Sequence, residues 1–160
     1  MTKFRVYIET SIPSFYHEDR QDAAAIARKE WTQQWWDNER CQYDVVSSQA
    51  VWDELSEGDY PKKDKCLAFI KELPFLPIEP EIAAIVQTYL ERKLMPRDSG
   101  GDALHLALAS YHKCDILLTW NCRHLANVNK FNHIRYVNTL LGCFVPIITT
   151  PLELLGGQHD

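Results

Sequence analysis

The stretch DALHLALASYHKCDILLT (residues 102–119) contains the two patterns on which the fold depends. Its first part has apolar residues at helical spacing, which predicts a helix over 102–112. Its last part, DILLT (115–119), is a short continuous apolar run with polar ends, which is typical of a strand buried on both faces. A helix that leads directly into a fully buried strand is typical of a parallel sheet covered by helices.

The same alternation of strand and helix patterns extends outward in both directions. Further strands are predicted at 4–8 (FRVYI), at 43–46 (YDVV), within PFLPI (74–78) and at 144–148. Further helices are predicted over 22–40, 50–57, 62–73, 80–94, 130–141 and 151–155. We therefore predict a single domain over 1–160, with a three-layer α/β/α architecture and a central, mostly parallel sheet of about five strands.

Composition and charge limit the class of protein. The 160 residues are 46% hydrophobic and 24% charged, as in an ordered globular protein. Seventeen basic and 22 acidic residues give a net charge of -5, which argues against a protein that binds nucleic acid by bulk positive charge. Five widely spaced cysteines without a CxxC pair indicate neither a disulfide framework nor a zinc ribbon. The sequence has no signal peptide pattern and no membrane-span pattern, so we expect a soluble, cytoplasmic protein.

Several acidic or polar residues lie where a predicted strand gives way to a helix. Glu9 follows FRVYI, Glu54 lies in the helix after YDVV, Asp102 opens its helix, and Asn121 follows DILLT. Because ligands of open parallel sheets bind outside the carboxyl ends of the strands, we expect these side chains to converge. Clustered carboxylates repel one another, and a divalent cation relieves that repulsion. Mg²⁺ and Mn²⁺ prefer oxygen ligands, so the pattern predicts metal-assisted phosphodiester hydrolysis.

Four segments in this chain are similar to the motifs of one family. They are VYIETSIPSFY (6–16), VVSSQAVWDEL (45–55), GDALHLALA (101–109) and LLTWNCRHL (117–125). In these segments the chain resembles the PIN-domain ribonucleases, particularly the VapC-type toxins of type II toxin–antitoxin pairs. The segments occur in the family's order and span most of the domain, and the pair DALHLALA and LLTWN is the most specific part of the resemblance.

The resemblance implies roles for residues and partners. It implies that Glu9, Glu54, Asp102 and Asn121 are catalytic residues. By the same resemblance, the three acids bind Mg²⁺ or Mn²⁺, and Asn121, which matches the Asp or Asn in the last motif, assists them. It further implies an endoribonuclease with RNA as substrate, a homodimer, and a small antitoxin protein that blocks the cleft. Two departures from the family pattern are Glu9, where Asp is usual, and Asn121 with His124 where some relatives have a further Asp.

Some residues near the predicted site have two interpretations. Asp53 and Glu57 lie on the same helix as Glu54, and the choice of Glu54 rests on the resemblance. His105 is expected to be a structural histidine. The supporting residues, which either orient a ligand or only cap helices and form turns, are Thr10, Ser11, Asp98 and Thr119. The lysines at 62, 63 and 65 are either a solvated helix face or a guide for RNA phosphates.

Two rival functions remain open at the level of sequence. One is a catalytically inactive PIN-like module that binds RNA or protein and retains the pocket. The other is a metal-dependent phosphohydrolase or phosphoacceptor on a similar sheet. That chemistry needs a nucleophilic Asp directly after the first strand, where this chain has Glu9 and no nearby DxD.

Overall fold

Five short strands form one parallel sheet. The computed structural model describes residues 3–97 and 101–156 of the chain. The strands are β1 (Arg5–Ile8), β2 (Asp44–Ser48), β3 (Phe75–Leu76), β4 (Ile116–Leu118) and β5 (Ile147–Thr149). They lie in the order β3-β2-β1-β4-β5, and every neighbouring pair is parallel. The predicted α/β/α architecture with a central sheet of about five strands is confirmed.

Eight α-helices in the described part of the chain surround the sheet. They are α1 (Ser11–Tyr16), α2 (Ala23–Gln34), α3 (Gln49–Ser56), α4 (Lys63–Lys71), α5 (Pro80–Glu91), α6 (Asp102–Tyr111), α7 (Val128–Leu141) and α8 (Pro151–Gly156). The patterns predict seven of them, with ends that differ by a few residues. None of these helices is long and apolar enough to cross a membrane.

Two regions differ from the predicted helices for identifiable reasons. Helix α1 was not predicted, because its six residues are too few to show a helical period and include Pro13. Proline is tolerated in a first turn, where its missing N–H has no helical partner. The predicted helix over 22–40 is α-helical only to Gln34 and continues as a π-helical turn, Trp35–Glu39. Both consecutive tryptophans, Trp35 and Trp36, are buried in that turn.

The core lies on both faces of the sheet. Val6, Tyr7 and Ile8 are consecutive residues of β1 and all three are fully buried. Since successive side chains of a strand point to opposite faces, helices must cover both faces. Helix α1 contacts α2 and α4, and α2 contacts α8, so these four helices form one group. Helices α5, α6 and α7 form a second group, joined by hydrogen bonds among Tyr89, Ser110 and Asn138.

The order of the strands fixes where a ligand crevice opens. From β1 the chain passes outward to β2 and β3 on one side, then returns to β4 and β5 on the other. The reversal between β1 and β4 is a topological switch point, where open α/β sheets bind ligands beyond the carboxyl ends of the strands. Ile8 and Leu118 are in register there, and the Glu9 N–H donates to the Leu118 carbonyl at 3.3 Å. Residues 9 and 119 therefore flank this crevice.

Candidate active site

Glu9 is fixed at the end of the central strand by hydroxyl and amide donors. Its side chain is only 5% exposed. The Glu9 Oε1 atom accepts hydrogen bonds from the Ser11 backbone N–H at 2.9 Å and from the Thr119 hydroxyl at 2.8 Å. The Ser11 hydroxyl also donates to this oxygen. These contacts join the loop after β1 to the loop after β4.

Ser11 and Thr119 orient neighbouring groups rather than cap a helix by a side chain. The Ser11 hydroxyl oxygen accepts from the Trp120 N–H at 2.8 Å, and the Thr119 hydroxyl oxygen accepts from the Asn121 N–H at 2.8 Å. Thr10 occupies the cap position of α1, but its side chain makes no cap hydrogen bond. The two hydroxyls that contact Glu9 therefore also fix the chain after β4.

Asp102 is held by Asn121. Asp102 opens α6, where a carboxylate is favoured by the helix dipole, and it is 7% exposed. The Asn121 side-chain Nδ2 donates to Asp102 Oδ1 at 2.9 Å. The other end of this amide is fixed as well, because Asn121 Oδ1 accepts from the N–H groups of Arg123 and His124 at 3.2 and 3.0 Å. A continuous set of hydrogen bonds thus connects Glu9, Thr119, Asn121 and Asp102.

Glu54 reaches the same region from α3 and pairs with His105 of α6. The Glu54 Oε1 atom and His105 Nε2 are in direct contact. The buried His105 ring uses its other nitrogen, Nδ1, for a hydrogen bond of 2.7 Å with the Tyr7 hydroxyl, which lies 2.8 Å from the Ser48 hydroxyl. His105 is thus a satisfied buried histidine, as predicted, and it also contacts a candidate site residue.

The two other acidic side chains near Glu54 in the sequence face solvent. Asp53 is exposed, and its Oδ1 atom accepts from Gln49 Nε2 at 2.9 Å. Glu57 lies beyond the end of α3 and is also exposed. Of these three acidic residues, Glu54 is the one that packs against α6.

Gly101 leaves room for this pairing. A Cβ atom at position 101 would lie 3.1 Å from His105 Nε2 and 3.2 Å from Glu54 Cδ. Both distances are closer than ordinary van der Waals contact between such atoms. A side chain at position 101 would therefore displace the Glu54 carboxylate or the His105 ring.

Burial and the His105 imidazole have opposite effects on the pKa of each acidic residue of this site. Burial raises the pKa of Glu9 and of Asp102 above their ordinary values, although His105 and the hydrogen-bond donors oppose this effect. Burial also acts to raise the pKa of Glu54, but the hydrogen bond and charge of His105 outweigh it, and that pKa is lowered. Burial acts to lower the pKa of His105, but Glu54, Glu9 and Asp102 together raise it.

These directions favour an imidazolium–carboxylate pair between His105 and Glu54. In that state His105 Nδ1 donates to the Tyr7 oxygen, and the Tyr7 hydroxyl donates to Ser48. Among the described residues, His105 makes the only ion pair to any of the three candidate acids. The negative charge at the crevice therefore exceeds the positive charge.

Comparison with known protein families identifies the family to which this chain belongs. A sequence model of the PIN domain matches residues 6–130, which include every candidate site residue. The chain belongs to the PIN domain family. PIN domains are typically nucleases, which generally use divalent metal ions and bind RNA. The searches among curated proteins and among solved structures each gave no match.

The side chains of this PIN domain have the donor chemistry that Mg²⁺ or Mn²⁺ requires. Within 3–97 and 101–156, no three His, Cys, Asp or Glu side chains are already gathered as a metal-binding group. However, Mg²⁺ commonly binds through one or two carboxylates and keeps several waters. Hydrogen bonds to Glu9 and Asp102 from the described residues all reach one oxygen of each carboxylate, Oε1 and Oδ1. The second oxygen of each is not used by these donors, which fits an oxygen-seeking cation.

The Thr10 hydroxyl is a further oxygen beside this set. Its Oγ1 atom is buried and makes no hydrogen bond of normal geometry in the part of the chain that the structure describes. Burial acts to raise the pKa of Glu54, and His105 lowers it. The Thr10 hydroxyl lies near enough to that carboxyl to add a smaller lowering effect. A buried polar atom without a regular partner is costly, and a metal-bound water satisfies such an atom. The site thus fits a hydrated divalent ion.

For some residues near this site, the sequence prediction and the structure cannot be matched directly. Asp98 was predicted as a supporting residue, and it lies outside the described residues. Tyr7 contacts the His105 ring, and Gly101 leaves room for the Glu54 and His105 side chains, but neither residue was singled out. One signal was present for His105: it lies three residues after Asp102, which places both on one face of α6.

Proposed function

We propose that the chain is a metal-dependent endoribonuclease that hydrolyses RNA phosphodiester bonds, and that it is the toxin of a type II toxin–antitoxin pair. In this proposal one PIN-like domain extends over 1–160. The observation that carries it is that Glu9, Glu54 and Asp102, from three separate parts of the chain, lie close enough to His105 near the β1/β4 switch point to raise its pKa together. Such an excess of buried negative charge is what a divalent cation neutralises.

In this proposal some candidate residues bind the metal and others orient those that do. Glu9, Glu54 and Asp102 bind Mg²⁺ or Mn²⁺, which when bound lowers the pKa of a water and neutralises charge on the phosphate. Asn121 holds the Asp102 carboxylate in one orientation through its Nδ2 atom. Thr119 and Ser11 do the same for Glu9, with Thr10 and Asp98 as further supporting residues.

Glu9 in place of the usual Asp is compatible with this arrangement. The additional methylene moves the carboxylate outward by about 1.5 Å, one carbon–carbon bond. Ser11 and Thr119 hold the longer side chain by the Oε1 atom, so it does not extend freely into solvent. Their three hydrogen bonds thus limit the freedom that the longer side chain brings.

The toxin role and the partners rest on the resemblance of the four quoted segments to VapC-type toxins. It supports an RNA substrate, a small antitoxin protein that covers the crevice and a homodimer. The five widely spaced cysteines support a reducing, cytoplasmic location. A purified antitoxin is expected to abolish cleavage by covering the Glu9–Asp102 crevice. Induced expression of the chain without antitoxin is expected to arrest growth.

Metal dependence is the first test of the proposal. The purified full chain, free of antitoxin and treated with EDTA, should leave a mixed single-stranded RNA intact. Addition of Mg²⁺ or Mn²⁺ should restore cleavage, while Ca²⁺ serves as a control for a nonspecific effect of divalent charge. RNA cleavage that persists undiminished in EDTA would contradict metal-dependent hydrolysis.

A second candidate function is a catalytically inactive PIN-like module that binds RNA or protein. The pair between His105 and Glu54 favours it, because an internal cation already neutralises one of the three carboxylates. This candidate predicts RNA or protein binding without cleavage in either metal. The same assay therefore separates the two functions.

A further inference from the structure

A cavity lies at the opposite end of α1 from Ser11. Its volume is about 270 Å³, and its walls come from the end of α1, from α2 and from the start of α4. The charged and titratable residues that matter here are His17, Glu18, Asp19, Lys29, Lys62 and Lys65. We refer to it as the His17 cavity.

One lysine and one acid of the His17 cavity neutralise each other. Lys62 Nζ lies 3.6 Å from Glu18 Oε2 and donates to the carbonyl and hydroxyl oxygens of Ser14 at 3.0 and 3.1 Å. Glu18 is 5% exposed and also pairs with Arg20 Nε at 3.1 Å. The charge of Glu18 is therefore already matched, and it does not cancel the remaining lysines.

The other two lysines have no acidic partner in the described structure. Neither Lys29 nor Lys65 forms an ion pair with a described residue. They approach the cavity from different elements, Lys29 from α2 and Lys65 from α4. Asp19, the remaining acid of the wall, is exposed. The cavity therefore has an excess of positive charge in a protein whose net charge is -5.

The His17 side chain supplies a polar atom that lacks a partner. Its Nε2 atom is buried and makes no hydrogen bond to any described residue. Burial and the charges of Lys65, Lys62 and Lys29 lower the pKa of this imidazole, so all three lysines act on the same ring. A neutral ring with Nε2 as its N–H donor, next to ammonium groups, is complementary to an oxyanion with several acceptor atoms.

We propose that the His17 cavity binds a phosphate group of the RNA strand that is cleaved at the Glu9–Asp102 site, through Lys29, Lys65 and His17 Nε2. This inference rests on the proposed function for the identity of the strand. Helix α1 begins at Ser11, which contacts Glu9, and its six residues span about 9 Å. One flexible strand can therefore contact both places, with the cavity fixing a phosphate away from the scissile bond.

The test measures RNA binding without cleavage. The full chain with Asp102→Asn is titrated with a short single-stranded RNA by fluorescence anisotropy at several KCl concentrations. When Lys29→Gln and Lys65→Gln are combined with Asp102→Asn in the same chain, its affinity for the RNA should fall about tenfold. The two lysine substitutions should also reduce the slope of log K against log[salt] by about 0.7 for each RNA phosphate that the protein no longer neutralises. The control pair Lys63→Gln and Lys71→Gln, on α4 outside the cavity, makes the same change in net charge and should leave the slope unchanged.

Inorganic phosphate distinguishes the source of the anion. With the wild-type full chain, added phosphate should shift the His17 imidazole resonances in NMR spectra more than those of the other histidines. If phosphate shifts His17 but the Lys29 and Lys65 variant binds RNA like the control pair, the cavity binds a free anion and the RNA assignment is wrong. Unchanged His17 resonances together with unchanged RNA binding would overturn the site altogether. Thermal unfolding of each variant verifies that it is folded.

Failure of this inference can be told from failure of the proposed function. If the wild-type chain cleaves RNA and the two lysines are dispensable for RNA binding, the cavity assignment alone is wrong. If RNA binding depends on the two lysines and the wild-type chain does not cleave in either metal, the nuclease proposal alone is wrong.

Discussion

His105 in the acidic crevice at the start of α1 and His17 in the His17 cavity at its end have opposite surroundings. Burial acts to lower the pKa of both rings. At His105 three carboxylates outweigh burial and raise the pKa, whereas at His17 three lysines add to burial and lower it further. The neighbours of each ring, and not the net charge of -5, therefore decide the local charge at each place.

Replacing Glu54 should have a large effect, because it removes one carboxylate from the acidic crevice. We expect Glu54→Gln to lower the rate of RNA cleavage at saturating Mg²⁺ by about 100-fold or more, the usual cost of removing one group that stabilises charge in a transition state. Asp53→Asn, one residue earlier and exposed, is the matched control and should retain full activity. Equal losses in both variants would show that the position of Glu54 against α6 is irrelevant.

A methyl group at position 101 should disturb the same pair without removing any charge. In Gly101→Ala the new Cβ meets Glu54 and His105, so the carboxylate must shift. Misplacement of a reacting group by about 1 Å can cost up to about 100-fold in rate, and we expect cleavage to fall about 10- to 100-fold. The thermal midpoint, measured in parallel, should change little, since the half-buried Glu54 carboxylate can move aside toward solvent.

A shorter acid tests the cause of that loss. Glu54→Asp in the Gly101→Ala chain removes one methylene and relieves the contact with the new methyl group. Partial recovery of the cleavage rate is expected. A rate that falls further in the double variant would indicate that Gly101 matters for another reason.

Replacing Glu18 tests the basic side of the comparison and should have the smallest effect. Glu18→Gln leaves Lys62 without its carboxylate partner, and the free energy of unfolding should fall by about 1 kcal/mol at neutral pH. Glu30→Gln, exposed on α2, is the control. Urea unfolding measures both.

The pH dependence of the Glu18 variant has a definite sign. Burial acts to raise the pKa of Glu18, but the hydrogen bonds and charges of Arg20 and Lys62 outweigh it and bring the pKa below its ordinary value of 4.5. A carboxyl whose folded pKa is lowered stabilises the fold above its ordinary pKa and loses this contribution as the pH falls through the folded value. The difference between wild type and Glu18→Gln should therefore disappear below the folded pKa of Glu18. A difference that grows with acidification would contradict this account.

The sequence predicted the strands better than the surroundings of the site. Runs such as DILLT are buried on both faces, so apolar continuity alone identifies them. The short helix α1 escaped because six residues give too few turns for a period. The positions of Glu9, Asp102 and Asn121 at strand and helix ends followed from the alternation of elements. Their roles as metal-binding and orienting residues stay predictions.

Contacts between side chains of distant segments could not be predicted. The pair of Glu54 and His105 depends on how α3 and α6 face each other, which local patterns do not specify. In the same way, Lys62 and Lys65 stood out as a basic cluster, but His17 and Lys29 join them only through the packing of α1 and α2. Such sites arise from tertiary structure, so the sequence indicates only those charges that are adjacent along the chain.

The central claim is that the carboxylates at the β1/β4 switch point cut RNA with a divalent metal. Its most direct test is the single-turnover rate of RNA cleavage in Mg²⁺ by the wild-type chain and by Asp102→Asn. The substituted amide oxygen can still accept the hydrogen bond from Asn121, so circular dichroism and thermal unfolding should show an intact fold. The account predicts cleavage by the wild-type chain and none detectable by Asp102→Asn. Equal rates in the two proteins would contradict it.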